Sequence, residues 1–281
     1  MAYWMRAADI QIGPYRYSLN SMAFSFECPF EDSDEPPTAT VTVTNMSEQT
    51  RHSIRRNHVV IINAGYEGDT GCIFKGKVAA MESKHSGTEW TTTITALGLR
   101  EEWLFKQINK TYEKNSTSDD IIRDLCNIYG AEVARCEPKT SKTYPRGLRL
   151  EGRLQDSLKR IVMSDCQSRL LIRNERIYIT DPTSPVNMGF LLSPQTGLLL
   201  SNEDEIDPYI IDEKTEGFSN EAKEATAETK NRTCLLNHQL GAGDIVMVQS
   251  RSLNGRFMVV RGTHRGSYDK DWVTELEMKS V

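Results

Sequence analysis

The chain has 281 residues, more than one compact core of ordinary size holds, so two or three domains are expected. Hydrophobic residues make up 38% and charged residues 26%, the balance of a folded and rather polar protein. With 34 basic against 39 acidic residues the net charge is −5, which leaves no cationic excess for phosphate backbones and argues against non-specific nucleic-acid binding as the main role.

The opening residues, MAYWMRAADIQIG, lack the basic start and apolar run of a secretory signal. No stretch approaches the ~20 apolar residues that cross a bilayer, so no membrane span is expected. The six cysteines, Cys28, Cys72, Cys126, Cys136, Cys166 and Cys234, stand singly, with no C-x-x-C pair. In a reducing cytosol they read as small buried apolar residues.

Residues 1–100 are strand-rich. Asp9–Ile12, Met22–Phe26, Ala39–Thr44, Val59–Ile62, Cys72–Phe74, Lys77–Met81 and Trp90–Ala96 alternate or are β-branched. Gly13-Pro14, Asp32–Pro37, Gly65–Gly71 and Ser86-Gly87 separate them. Short strands punctuated this often predict a closed or nearly closed antiparallel barrel. Glu48–Asn57 is polar and basic, and reads as a short helix or a crossing loop.

Residues 101–183 change character. Ser118-Asp119-Asp120 reads as an N-cap with an acidic first turn; Ile121, Ile122, Leu125, Ile128 and Tyr129 recur at helical spacing, and Gly130 supplies a stop. A second helix fits Leu154–Cys166, with Leu154, Leu158, Ile161 and Val162 on one face. Leu170–Ile172 and Ile177–Ile179 read as a hairpin around Arg173–Glu175. This helix-and-strand module is too small for a generous core and is expected to pack on a barrel.

Residues 184–281 return to β structure. Phe190–Leu192 and Leu198–Leu200 flank the turn Ser193–Gly197. Glu203–Lys230 then holds ten acidic residues against three lysines and reads as an exposed excursion. Beyond it, Asp244–Gln249 and Arg256–Arg261 alternate on either side of Asn254-Gly255, a strong hairpin signal, and Trp272–Met278 supplies a third strand. The expected fold is therefore mainly β with an α+β insert: two antiparallel β-barrel domains, 1–100 and 184–281, and the small module between them.

A search for chemistry finds little. There is no G-x-S-x-G elbow, no Walker loop and no H-E-x-x-H. Gly241-Ala-Gly243 has no helix after it to cradle a phosphate. His52, His58, His85, His238 and His264 show no metal spacing. The carboxylate pairs Glu101-Glu102 and Asp119-Asp120 sit at helix starts, where they serve the helix dipole. His264, before Gly266, is the most tempting single residue. It reads as a base or ligand, or, since no partner set is visible, as a histidine fixing a turn. Trp272 could stack on a sugar or base; a cap for the open end of a barrel is the simpler reading, as for Trp4, Trp90 and Trp103. No catalytic, cofactor-binding or metal-binding residue is expected.

The terminal segment resembles a known family. Leu235-Leu-Asn237, Leu240 and Gly243-Asp244-Ile245-Val246-Met-Val248 are similar to the L-N-P-x-L-x-P-G-D-x-V segment of phage baseplate hub proteins. Phe257, Val259, Gly262, His264, Gly266, Trp272 and Thr274 match that family's ending. Ser193-Pro-x-Thr-Gly197-Leu198 resembles its t-G-L-i-g turn, and Ile73-Phe74-x-Gly76-x-Val78 with Trp90–Ala96 its first-barrel pattern. His238 and Ala242 stand where the family has prolines, and Ser267 where it has Asp. The acidic stretch is longer than the family's.

The resemblance implies a structural baseplate hub of a phage tail or phage-tail-like bacteriocin. It implies a homotrimer whose two barrels per chain present pseudo-sixfold symmetry to a sixfold tail tube and threefold symmetry to a central spike. Tail tube, spike, tape measure and other baseplate proteins would be its partners, without sequence-specific nucleic-acid binding. It would be made in the bacterial cytoplasm and assembled into a tail. Some hubs carry a fused cell-wall hydrolase; none is expected after Val281. Two rival readings remain: a β-barrel module binding oligosaccharide or single-stranded nucleic acid, motivated by the four tryptophans, and a hydrolase using His264 with an acidic partner.

Overall fold

A computed structural model describes residues 5–98, 102–130, 132–199 and 229–281. The first part holds β1 (Arg6–Ile12), β2 (Tyr15–Ser18), β3 (Phe24–Glu31), β4 (Thr38–Thr44), α1 (Glu48–Ser53), β5 (Val59–Tyr66), β6 (Asp69–Ser86) and β7 (Glu89–Leu97). Period two writes these strands: in β4, Ala39, Val41 and Val43 are buried while the threonines between them face out. The polar stretch after β4 does form a helix, α1, capped by Ser47, whose hydroxyl accepts from the Thr50 N–H. The two runs expected at Cys72–Phe74 and Lys77–Met81 are one strand, β6, of 18 residues. Gly76 joins them, because a side chain there would strike the Leu97 carbonyl. The strands run in the order β3-β4-β7-β6-β5-β1-β2 around a core that includes Ile10, Ile12, Phe26, Val41, Ile62, Phe74 and Ile94.

The middle part holds α2 (Glu102–Phe105), β8 (Gln107–Tyr112), β9 (Ser116–Thr117), α3 (Ser118–Tyr129), β10 (Glu132–Glu137), β11 (Thr143–Tyr144), β12 (Leu148–Arg153), α4 (Leu154–Lys159), β13 (Arg169–Arg173) and β14 (Arg176–Thr180). α3 is capped one residue earlier than expected, by Thr117, whose hydroxyl accepts from the Asp120 N–H. Gly130 ends it at φ +80°. Thr117→Ala is expected to cost about 1 kcal/mol in chemical denaturation; an unchanged midpoint would show the cap to be idle. α4 continues through π-helical turns over Arg160–Asp165, covering the expected second helix. The expected hairpin is β13–β14. Three further pairings were not expected: the ribbon β8–β12, the short pair β9–β11, and β10 lying parallel to β14. This part has its own core, built from Trp103, Ile121, Leu125, Leu154, Leu158, Ile161 and Ile177.

The last part holds β15 (Phe190–Leu192), β16 (Lys230–Leu235), β17 (Ile245–Gln249), β18 (Asn254–Ser267) and β19 (Trp272–Ser280), around a third core of Leu192, Val246, Val248, Phe257, Val259 and Met278. β15 runs parallel to β17, and Leu198 bridges to Cys234, so the two runs flanking Ser193–Gly197 do not pair with each other. The hairpin turn is also displaced. Gln249 pairs with Asn254, so Ser250–Leu253 turn the chain and Asn254-Gly255 belong to β18. The Ser250 hydroxyl makes this possible by accepting from the Leu253 N–H, while Ser250 O accepts from Asn254 Nδ2. The acidic stretch Glu203–Lys230 lies outside the described residues except for its last two.

The expected mainly-β class with a helical insert is what the chain adopts. The β strands of the first and last parts belong to one 12-stranded sheet. The seam is β3 against β18, antiparallel from Glu31↔Arg261 to Ser25↔Ser267. β18 spans both halves: a bulge between Val259 and Arg261 divides it, its first segment lining the third core and its second pairing with β3 and β19. Among the described residues, no helix is long and apolar enough to cross a membrane.

Candidate functional site at the junction of the three cores

The middle part is bolted to both β halves by charges that the packing buries. Asp244, fully buried just before β17, accepts from Arg173 Nη1 at 3.0 Å, from the Asn187 N–H and Nδ2, and from the Gly241 N–H. Arg173 also donates to Gln239 O. Burial pushes the Asp244 carboxyl above the usual range against the pull of these donors, so the clamp depends on every one of them. A buried arginine, Arg169, reaches Asp32 at 3.1 Å, Thr180 Oγ1 and Ser184 O. Lys159–Asp34 and Lys75–Glu175 add two ion pairs across the same boundary. Sequence reading missed this set. Its signal was an Asp leading directly into an apolar strand, with Arg173 hidden in what looked like an exposed turn.

A cleft of about 650 Å³ opens where the three parts meet, lined among others by Phe30, Phe74, Ile172, Arg232, Leu240 and Glu275. His264 belongs to its wall but is 2% exposed. It lies within β18, opposite Thr274 and Cys28, not after a strand. Its Nδ1 is 2.9 Å from Thr274 Oγ1, and its ring packs on Phe30. Burial, and then the Arg173 charge, lower its pKa to about 3. A buried imidazole this hard to protonate is a weak base, and its contact with Thr274 ties β18 to β19.

That shift has a pH signature. The unfolded histidine takes up a proton below its ordinary 6.5, whereas the folded one waits until about 3. Stability is therefore fully present above pH 6.5 and falls as the pH drops toward 3, by at most about 1.4 kcal/mol per unit. Between pH 7 and pH 5 the wild type is expected to lose about 2 kcal/mol more than His264→Gln in chemical denaturation. Equal pH slopes for the two proteins would remove this assignment.

Trp272 does not lie in the core of its own half. It is buried in the first core, where its Nε1 donates to Gly65 O at 3.0 Å and its ring meets Phe26 edge-on at 5.6 Å. Gly266 beside it has no room for a side chain. Trp103 is buried against Tyr129, and Trp90 lies half exposed under the Arg51 guanidinium, 3.8 Å away. Trp4 lies outside the described residues. The six cysteines are free thiols, and burial pushes Cys126 and Cys234 up to about 12, which suppresses thiolate chemistry. His238 packs on Gly71, 3.8 Å from Asp69, so this proline replacement fills a contact between the halves. Among the described residues, no group of three or more His, Cys, Asp or Glu side chains could hold a metal ion.

A repeated tripeptide explains part of the middle module. Lys110-Thr-Tyr112 and Lys142-Thr-Tyr144 each close on one helix aspartate: Tyr112 OH donates to Asp124 at 2.6 Å, and Tyr144 OH to Asp165 at 2.6 Å, with each lysine on the same carboxylate. Lysine and tyrosine donors together hold both carboxylates below their usual range despite desolvation. The two clusters pin the ribbons to the helices.

Solved structures sharing this architecture are phage tail proteins and tail-like secretion components, and the chain has their fold. A 43 kDa tail protein of prophage MuSo2 from Shewanella oneidensis aligns over 98% of this chain and 97% of its own, with a TM-score of 0.67 and 10% identity. A tail protein from Neisseria meningitidis MC58 aligns over 99% and 97%, with a TM-score of 0.66 and 10% identity. An E. coli protein described as a type VI secretion component with structural similarity to T4 bacteriophage tail proteins aligns over 97% and 76%, with a TM-score of 0.61 and 10% identity. No protein-family model and no curated protein sequence matches the chain.

Proposed function

We propose that this chain is a structural, non-enzymatic baseplate hub of a phage tail or phage-tail-like bacteriocin. Three copies form a ring that adapts a sixfold tail tube to a threefold spike. The observation that carries this reading is the pair of β cores fused side by side through one sheet, in a fold that matches tail proteins along nearly their whole length. Two such halves per chain give a threefold ring six β units, the number a sixfold tube needs. The buried clamps suit this work: Asp244 and Arg169 hold the halves and the module in fixed relation, as an adapter transmitting load requires. The neutral, buried His264 and the protonated thiols supply rigidity in place of reactivity.

Purified tail particles from a cell expressing this chain are expected to contain it in a threefold multiple beside the tube protein, read by quantitative mass spectrometry. Its absence from complete baseplates would end the hub reading.

A further inference from the structure

Arg51 is a buried charge without an answering one. It stands in the last turn of α1 and is 9% exposed. Its Nη1 is shut off from solvent and has no hydrogen-bond partner among the described residues. Asp32, Arg169 and Arg232 also carry a buried atom without a partner, but each bonds through its remaining atoms. No described carboxylate balances Arg51: Glu48, the acid one turn earlier on α1, is exposed and makes no ion pair with it. The guanidinium instead lies on the Trp90 ring, with Cζ 3.8 Å from its centre. Stacking on an indole returns less than desolvating a guanidinium costs, so the position calls for an acceptor from outside the chain.

The surroundings are built to hold that guanidinium in place. Period two in β7 puts Ala96, Ile94, Thr92 and Trp90 on one face; the first three are buried, and Trp90, at the strand's start, is 39% exposed. Asn45 fixes the Trp90 backbone twice, donating from its N–H to Trp90 O at 2.7 Å and accepting the Trp90 N–H on Oδ1 at 3.0 Å. His85, the cross-strand partner of Trp90, packs against the indole with ring centres 4.9 Å apart. Exposed Arg55 follows on the same turn and donates to the carbonyls of His52 and Ile54, so it adds positive charge and no acceptor. A planar guanidinium with an open donor matches a carboxylate or a phosphate. The carboxylate is favoured, because a group nine-tenths covered admits a slender side chain more readily than a polynucleotide backbone, which the net charge of −5 also repels. Tryptophan and arginine are also the residues on which protein interfaces most often anchor. We propose that Arg51, Trp90 and His85 form a docking site for an acidic side chain of another protein. Its carboxylate accepts from the open Nη1, and its methylenes lie against the indole and imidazole. The site stands apart from the junction of the three cores and does not rest on the hub reading.

Binding to the full chain tests this, with decaglutamate as the acidic probe and a single-stranded oligonucleotide of equal charge as its rival. The signal is Trp90 emission, isolated by difference from Trp90→Phe. Decaglutamate is expected to shift that emission, and Arg51→Met to weaken the binding by about tenfold or more. Arg51→Lys, which keeps the charge and loses the fork, is expected to fall between the two. The denaturation midpoint of the free Arg51→Met chain is expected to hold or rise, since the variant removes a buried charge that nothing in the chain balances. A lowered midpoint would make Arg51 a structural prop for Trp90 and overturn the proposal. So would the absence of a Trp90 shift with decaglutamate, or a shift that Arg51→Met leaves intact. An oligonucleotide that binds as tightly as the peptide, with the same loss in Arg51→Met, overturns the protein partner in favour of a nucleic acid.

Discussion

Asp244→Ala is expected to cost about 3–5 kcal/mol, because it strips the counter-charge from Arg173 and leaves the Asn187 and Gly241 amides without an acceptor in a buried site. The geometry makes the penalty larger than for an ordinary ion pair. Three elements converge on one carboxylate: β13 through Arg173, the loop before β15 through Asn187, and the Gly241 turn. Asp244→Asn keeps the acceptor oxygen but turns a donor toward its neighbours, so about half the loss is expected to remain. Arg173→Leu should cost less than Asp244→Ala, because a carboxyl already pushed upward by burial can take a proton and stay neutral. Denaturant unfolding of the three variants at neutral pH checks the ranking. A cost for Asp244→Ala under about 1 kcal/mol would mean that the clamp does not join the parts as described.

Trp272→Ala is expected to cost about 3–5 kcal/mol, the range for emptying a large buried aromatic site. The more informative expectation concerns where the damage appears. Trp272 begins β19, yet its ring fills the first core against Phe26 and Gly65. The variant should therefore loosen the first core, read as faster amide exchange in β1, β3 and β5, although the substitution lies more than 200 residues further along the chain. Trp272→Phe should restore much of the packing and lose only the bond to Gly65 O. Loosening confined to β16–β19 would contradict this placement.

The two lessons of the sequence differ in kind. Strands such as β4 and β7 and the helix α3 were legible because one face of each is buried and the spacing of apolar residues records it. The ribbon β8–β12 was not, since Lys110 and Gly152 interrupt the apolar alternation of its inner face, Ile108, Tyr112, Leu148 and Leu150, in two short strands. The turn at Ser250–Leu253 was masked by an Asn-Gly pair that fits a tighter turn, while the local hydrogen bonds of Ser250 decided the register. His264 was expected at a turn and Trp272 at the open end of a barrel, and nothing local says that Trp272 belongs to the other half. Contacts such as Arg173–Asp244 and Arg169–Asp32 join distant segments, and periodicity carries no information about them.

The seam sets a timetable for making the protein. Gly65 and Trp272 are separated by 207 residues, which at ordinary translation speeds means roughly 10–40 s between the synthesis of one and the other. For that interval the nascent first half has a vacancy where an indole belongs, and β3 has no β18 beside it. Closing a loop this long adds only modest entropy cost but must await its last strand. A chain whose first and third cores both need these late strands completes neither until β18 and β19 have emerged.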